Sequence, residues 1–412
     1  MRRIGRVLLG GMLSAAALSG GEATLFAKIA MGKSVLTGID VLQTQGFKPL
    51  RGKKIGLVTN LAALNREGVP TLDVLLRAPK VTVAAVFSPE HGLTVKAAEG
   101  ATVSSGEDKN RGMKVYSLYG DQTKPSPAQL KGLDLLVVDL PDVGTRFYTY
   151  PSTAALCMEA AAQAKIPVLV LDRPNPLNGL SVEGPVLKPA DYSFTGYSSV
   201  PIRHGLTLGE LAEFMNAEKK IGADLKVVKV KGWKRGMWFD ETGLPWVNPS
   251  PNLRNLTQVI LYPCVCLLEP TNLSVGRGTD KPFETFGAPW ISPQDAKKLA
   301  EAMNAKHLPG VRFYPLHFTP KDNVFEKTAC GGCRLELTDR NAFKPVRTGL
   351  SLMGEMARLF GKKFEMEKSD RLLRAVEIRK ALQKGVPDAE VTGMYREEEA
   401  AFKKLRKKYL LY

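Results

Sequence analysis

Residues 133–176 read LDLLVVDLPDVGTRFYTYPSTAALCMEAAAQAKIPVLVLDRPNP, and this stretch decides the fold. It begins with an apolar run, residues 133–139, and ends with a second one, residues 168–172. Between the two runs, residues 152–165 are rich in alanine, begin with a serine and end before Pro167, which predicts a helix. Two buried strands joined by a helix are typical of a parallel sheet that is covered on both faces.

The same alternation extends on both sides of this stretch. Further strands are predicted at residues 55–59, 81–87 and 225–230, and further helices at residues 71–78 and 207–220. We therefore expect an α/β protein whose larger part is a Rossmann-like, doubly wound, mostly parallel sheet.

The C-terminal part of the chain has a different composition. From about residue 262 it contains loops rich in Gly, Pro, Thr and Asn, followed by a smaller α/β pattern. Helices are predicted at 292–307, 349–360 and 397–408, with strands at 311–315 and 334–338. We expect a larger catalytic domain at residues 28–261 and a smaller α/β domain at residues 262–412 that closes a cleft.

The N-terminus resembles a secretory signal. Residues 1–6 carry three arginines, and the uncharged, largely apolar residues 7–21 follow. Small residues then offer cleavage after Ala23 or Ala27, so we assign residues 1–27 to the signal peptide and expect a periplasmic or secreted protein. No later segment is apolar for the roughly 20 residues that a transmembrane helix needs, so we expect none.

The chain is strongly basic. Its 412 residues carry a formal net charge of +17. This charge either favours an anionic partner or only keeps the protein in solution. No helix-turn-helix, zinc finger or RNA-binding signature accompanies the charge, so we do not expect nucleic acid as a partner. Anionic wall polymer or lipid headgroups suit an exported protein better.

Cysteine and histidine give no clear metal or cofactor pattern. The sequence CGGC, from Cys330 to Cys333, would suit a redox or zinc half-site, but no second such pair and no neighbouring His accompanies it. A local disulfide or two buried thiols is the better interpretation. No HxH or HxxxH spacing and no P-loop occurs, so we expect no metal and no cofactor.

Polar residues follow the predicted strands with unusual regularity. If the strands are parallel neighbours, Glu90, Asp142 and Asp172 come together at one edge of the sheet, where open α/β sheets bind ligands. For Asp139 and Asp172 taken singly we favour structural roles, in which Asp172 pairs with an Arg and Asp139 caps a turn. Glu90 lies in a loop between Pro89 and a histidine, which favours function. Convergent carboxylates are what glycosidic bond cleavage needs.

A series of ordered motifs carries a family resemblance. They are SPEHG at 88–92, YSLYG at 116–120, DVGTRFYTY at 142–150, LDRPNP at 171–176, HG at 204–205, GEL at 209–211, PSPN at 249–252, GRGT at 276–279, GAP at 287–289 and KYLLY at 408–412. In this order they resemble the exported exo-β-N-acetylmuramidases of peptidoglycan turnover, from about residue 37 to the end of the sequence.

The resemblance implies release of N-acetylmuramic acid from the non-reducing end of peptidoglycan-derived muropeptides or disaccharides. It places the catalytic acid at Glu90, and we expect the second carboxylate at Glu269 or Asp142, with His91 beside the acid. The predicted substrate-binding residues are Asn60, Arg146, Tyr148, Tyr150, Asp172, Arg173, Asn175, His204, Asn252, Asn272 and Arg277.

Two questions stay open at the level of sequence. N-acetylmuramic acid carries a lactyl carboxylate, which an Arg fork such as Arg146, Arg173 or Arg277 could bind through two hydrogen bonds. A non-catalytic periplasmic protein that binds muropeptides or wall polymer is the alternative function, because fold alone does not separate a receptor from an enzyme.

Overall fold

The computed structural model describes residues 35–412, so the predicted signal peptide lies outside the described residues. Its main element is a seven-stranded sheet in the order β3-β4-β2-β1-β5-β6-β9, parallel except for β3. The strands are β1 (Lys53–Thr59), β2 (Val81–Ser88), β3 (Gly106–Asp108), β4 (Met113–Ser117), β5 (Leu135–Asp139), β6 (Val168–Leu171) and β9 (Leu225–Val228).

Helices cover both faces of this sheet. They are α1 (Gly38–Thr44), α2 (Thr71–Leu76), α3 (Pro127–Leu130), α4 (Tyr150–Gln163) and α5 (Leu208–Glu218). Successive residues of a strand point to opposite faces, and accordingly Val58 and Val138 belong to one apolar cluster while Leu57 and Val137 belong to another. The predicted doubly wound α/β fold is confirmed, and the five predicted strands of the larger part are β1, β2, β5, β6 and β9.

The C-terminal part is built on a three-stranded antiparallel sheet in the order β10-β12-β11. Its elements are α6 (Leu256–Val265), β10 (Thr285–Ala288), α7 (Pro293–Ala305), β11 (Val311–Phe318), β12 (Cys330–Leu337), α8 (Pro345–Phe360), α9 (Asp370–Leu373), α10 (Val376–Gln383), α11 (Asp388–Gly393) and α12 (Arg396–Leu405). A two-stranded sheet, β7 (Glu183–Val186) with β8 (Pro201–Arg203), lies earlier in the chain.

The proposed domain boundary between residues 261 and 262 falls inside α6. The Asn255 side chain accepts a hydrogen bond from the Gln258 N–H (2.9 Å) and so caps the start of this helix. Near its C-terminal end α6 packs closely on α8, where the Cys264 carbonyl approaches Gly349 so closely that no side chain would fit there. A boundary before Asn255 would keep the helix whole, and the division into domains stays a proposal.

The CGGC sequence lies within β12, and the packing around this strand accounts for its two cysteines and two glycines. Residues three apart in a strand point to opposite faces and lie roughly 10 Å apart, whereas bridged cysteines need Cα atoms within about 7 Å. Cys330 and Cys333 are accordingly two free, buried thiols, so the structure selects the buried-thiol interpretation over the local disulfide. The two glycines allow β10 and the Ile291 carbonyl to approach the strand closely.

No helix within residues 35–412 is long and apolar enough to cross a membrane.

We predict that Gly332→Ala destabilises the protein, because the added methyl group would collide with the Phe286 carbonyl oxygen of the neighbouring strand. Overpacking of this kind costs about 1–3 kcal/mol, which urea unfolding would detect as a lower midpoint. Gly393→Ala in α11 is the matched control, since nothing lies within 4 Å of the added methyl there. Equal midpoints for the two variants would contradict the packing argument.

Candidate active site

A cleft of about 470 Å³ lies where the larger sheet meets the C-terminal part. Glu90 follows β2, Tyr119 follows β4, and Thr149 lies in the loop after β5, so three parallel strands deliver residues to it at their carboxyl ends. The opposite wall comes from the C-terminal part and includes Glu269 and Arg277.

Glu90 is held by two donors. The Thr149 hydroxyl donates to Oε2 (2.6 Å) and the Gly100 N–H donates to Oε1 (3.0 Å), while the residue as a whole is only 7% exposed. Thr149 precedes α4 but makes no capping bond, so its hydroxyl is available to Glu90. A hydroxyl can donate to a carboxylate or accept from a carboxylic acid, and Thr149 therefore suits both protonation states of Glu90.

Two neighbours of Glu90 present polar groups to the cleft. Burial, followed by the charge of Glu90, raises the pKa of Tyr119 to about 12, so this phenol remains a hydrogen-bond donor at neutral pH. His91 has a positive φ of 68° and its Nδ1 lies 2.8 Å from the Ala97 carbonyl oxygen. Because a carbonyl only accepts, Nδ1 carries a proton, and the neutral ring has Nε2 as its acceptor.

Hydrogen bonds of two tyrosine side chains fix the loop after β5. The Tyr148 hydroxyl donates to the Pro249 carbonyl (2.7 Å), and the Tyr150 hydroxyl lies 3.0 Å from the same oxygen. Asn60 donates to the Tyr150 hydroxyl (2.9 Å). Of the three, only Tyr148 lines the cleft, and Asn60 and Tyr150 support it from behind.

On the opposite wall, Arg277 joins two carboxylates. Its Nη2 lies 3.1 Å from both oxygens of Glu269, and its Nη1 lies 3.0 Å from Glu99 Oε2. The Cys266 thiol also donates to Glu269 Oε2 (3.1 Å). Glu269 keeps 29% of its side chain exposed, whereas Arg277 is buried against the Phe283 ring. Glu269 is thus an oriented carboxylate that remains accessible from the cleft.

Asp142 lies outside the cleft, in a separate hollow, and is paired with His204. The His204 Nδ1 accepts the Leu206 N–H (3.1 Å), so the proton of the neutral ring is on Nε2, 3.5 Å from Asp142 Oδ2. Burial raises the pKa of Asp142 to about 7 and lowers that of His204 to about 3. The histidine is therefore neutral, and the contact is not an ion pair.

Two of the three predicted arginine forks have protein partners outside the cleft. Arg146 is buried and donates to backbone carbonyls, and Arg173 makes a two-point ion pair with Asp139 (2.5 and 2.9 Å). Asp172 accepts hydrogen bonds from the Thr207 and Tyr412 hydroxyls, each at 2.7 Å. Asp139, and not Asp172 as expected, is therefore the aspartate that pairs with an Arg.

The structure brings five of the predicted site residues into the cleft: Glu90, His91, Tyr148, Glu269 and Arg277. The others lie outside its lining: Asn60, Asp142, Arg146, Tyr150, Asp172, Arg173, Asn175, His204, Asn252 and Asn272. We expected Glu90, Asp142 and Asp172 to come together, whereas Asp142 lines a separate hollow and Asp172 is fully buried, so neither joins Glu90 in the cleft.

Several polar cleft residues escaped the sequence argument: Glu99, Tyr119, Thr149, Asn323 and Arg371. Tyr119 and Thr149 lie inside motifs that were recognised, and their position after strands was an available signal. Glu99, in an irregular loop, and Arg371, in the short helix α9, had none, because only the folded chain brings their segments together at the cleft. Among residues 35–412, no group of three His, Cys, Asp or Glu side chains could hold a metal ion.

Comparison with known proteins identifies relatives over nearly the whole chain. Residues 55–257 match the N-terminal, and residues 260–412 the C-terminal, family model of the exo-beta-N-acetylmuramidase NamZ. A relative from Bacillus subtilis (strain 168), peptidoglycan beta-N-acetylmuramidase NamZ, is 45% identical over 381 residues, which is 92% of this chain and 91% of the relative.

Two crystal structures of DUF1343 family proteins from Bacteroides fragilis NCTC 9343 share the fold. One has a TM-score of 0.84 at 36% identity and the other a TM-score of 0.76 at 31% identity. Each comparison covers 92% of this chain and 99% of the solved chain.

The buried Asp142 predicts a pH dependence of stability. Its pKa is raised in the folded chain to about 7, from 3.8, so the folded chain holds this proton more tightly than the unfolded chain does. Its contribution to the free energy of unfolding therefore falls as the pH rises from about 4 to about 7. Asp142→Asn removes this loss. The free energy of unfolding of the variant, relative to that of the wild type, should therefore rise by more than about 1 kcal/mol between about pH 5 and about pH 8.

Urea unfolding of both proteins at the two pH values measures this difference. At about pH 5 both side chains are neutral in the folded state, so the lower pH serves as the internal control. A wild type that gains stability relative to Asp142→Asn on going to the higher pH would contradict the assignment.

Proposed function

The chain belongs to the exo-β-N-acetylmuramidase NamZ family, and we propose that it removes N-acetylmuramic acid from the non-reducing end of peptidoglycan fragments. It is a glycosidase in this proposal, and no cofactor takes part. The observation that carries it is the pair of carboxylates in one cleft, Glu90 on the wall of the larger sheet and Glu269 on the wall opposite.

Glu90 is the general acid in this proposal. Cleavage of a glycosidic bond requires a proton on the leaving oxygen, and a carboxylic acid that faces the bound sugar supplies it. Thr149 keeps Glu90 oriented whether or not it is protonated, because its hydroxyl can reverse its hydrogen bond. The Tyr119 phenol is a second donor beside Glu90 that can hydrogen-bond to the sugar.

Glu269 is the second carboxylate. It attacks the anomeric carbon or activates water for that attack, which are the two roles open to the partner of a catalytic acid. The Arg277 guanidinium and the Cys266 thiol hold both of its oxygens, and an ionised, oriented group is what either role needs. Asp142, the other candidate, is buried outside the cleft lining.

The cleft also offers aromatic surface to a sugar ring. Tyr119 and Phe194 line it with partly exposed rings, whose centroids lie 5.7 Å apart. Sugars bind such surfaces through the apolar face of the ring, with polar groups setting orientation. The alternative of a non-catalytic muropeptide-binding protein gains no support, since the Bacillus relative is named as an enzyme.

We also propose that the protein is exported, because its proposed substrate lies outside the cytoplasm. Residues 1–27 carry the features of a signal peptide, and we propose a mature chain that acts in the periplasm or outside the cell. N-terminal sequencing of the protein from a periplasmic or culture fraction tests this directly.

We predict that Glu90→Gln lowers kcat on a chromogenic β-N-acetylmuramide by at least about 100-fold, since the amide cannot donate the proton. The thermal midpoint should change little, because the amide oxygen still accepts a hydrogen bond. Glu107→Gln, an exposed change of the same kind in β3, is the control and should keep wild-type turnover. Near-normal turnover by Glu90→Gln would remove this residue from the mechanism.

We predict a similar loss of kcat, at least about 100-fold, for Glu269→Gln, whereas Asp142→Asn should stay within about threefold of the wild type. The comparison separates the two candidate second carboxylates by their effect on the same assay. A large loss with Asp142→Asn alone would transfer the role to Asp142 and contradict the cleft assignment.

A further inference from the structure

The cleft carries an uneven set of charges. Its lining contains the carboxylates Glu90, Glu99 and Glu269, two arginines, Arg277 and Arg371, and no lysine. A ligand that brings a carboxylate of its own into this cleft meets three like charges. Its binding therefore depends on a cation that those charges do not already neutralise.

Arg277 does not meet this condition. It contacts Glu99 at 3.0 Å and Glu269 at 3.1 Å, and it is 8% exposed. A further carboxylate could bind it only by displacing one of the two. Displacement of Glu269 would also release the carboxylate that the proposed mechanism needs.

Arg371 has the opposite character. Its side chain is exposed and makes no ion pair or hydrogen bond with any other residue of the 35–412 range. Its backbone is nevertheless fixed: Arg146 donates to the carbonyls of Leu372 (3.0 Å) and Leu373 (2.9 Å), and Asp370 pairs with Arg379 at 2.8 Å. The fixed backbone keeps this guanidinium at the cleft, and no partner within residues 35–412 has to be displaced before it binds an anion.

Arg371 and Glu90 line the same cleft as Tyr119, and both lie close enough to influence that phenol. Both charges act on Tyr119, whose pKa is raised first by burial and then by Glu90, while Arg371 opposes the rise. In N-acetylmuramic acid the lactyl group is on the oxygen of C3, two carbons from the anomeric carbon. When such a sugar presents its glycosidic oxygen to Glu90, its carboxylate is attached to the same ring and therefore lies in the same cleft.

We propose that Arg371 is the specificity-determining residue that binds the free lactyl carboxylate of a terminal N-acetylmuramic acid that carries no stem peptide. The inference rests on the proposed function, and it gives to Arg371 the task that the sequence suggested for Arg146, Arg173 or Arg277. The planar guanidinium forms two hydrogen bonds to a carboxylate, and a lysine cannot reproduce this geometry.

The test compares two substrates that differ only in this group: a chromogenic β-N-acetylmuramide and the same compound with the lactyl carboxylate converted to an uncharged carboxamide. Arg371→Gln should lower kcat/KM about ten- to hundredfold on the acid and less than about threefold on the amide. Arg371→Lys should fall between the wild type and Arg371→Gln on the acid. Lys384→Gln removes an equal charge from an exposed site outside the cleft and should match the wild type.

A binding measurement separates this inference from the proposed reaction. Calorimetry with free N-acetylmuramic acid, in the Glu90→Gln background, reports recognition without turnover. Weaker binding of the acid, but not of its amide, after Arg371→Gln supports the inference even if the wild type hydrolyses neither substrate. Hydrolysis that depends on Glu90, together with equal effects of Arg371→Gln on acid and amide in both assays, overturns the inference and leaves the hydrolase assignment intact.

Discussion

The burial of one guanidinium, that of Arg146, holds the two parts of this molecule in register. It donates to the carbonyls of Pro185 and Val200 in the N-terminal part and to those of Leu372 and Leu373 in the C-terminal part. A buried cation without an acceptor is costly, so the four carbonyls and the arginine require one another. The cleft between the two parts exists in its present shape because this contact fixes the segment at its rim.

The charged residues on the two walls of the cleft have different roles. Arg277 is enclosed between Glu99 and Glu269, so its charge serves to orient carboxylates. Glu90 has no cation against it and is held by neutral donors, the Thr149 hydroxyl and a backbone N–H. The two walls thus supply one carboxyl that is held by neutral donors and one that is held by an arginine.

The sequence predicted the larger sheet well, because apolar runs such as residues 133–139 and 168–172 depend little on context. Glu90, which the sequence proposed as the catalytic acid, does line the cleft, two residues after the end of β2. The sequence misplaced Asp142, since a motif rich in polar residues does not reveal which of them turn inwards to satisfy the backbone. Arg371 was out of reach, because its place in the cleft depends on contacts to residues about 225 positions away in the chain.

The five cysteines, which include Cys330 and Cys333 in β12, are all buried and unpaired in the folded chain. Burial raises the pKa of Cys330 to about 11 and that of Cys333 to about 12, so the reactive thiolate form is scarce. The unfolded chain has no such protection, and an odd number of thiols cannot all find partners. Folding therefore withholds these sulfurs from oxidation and disulfide exchange, whereas an oxidant that acts before folding is complete meets all five thiols.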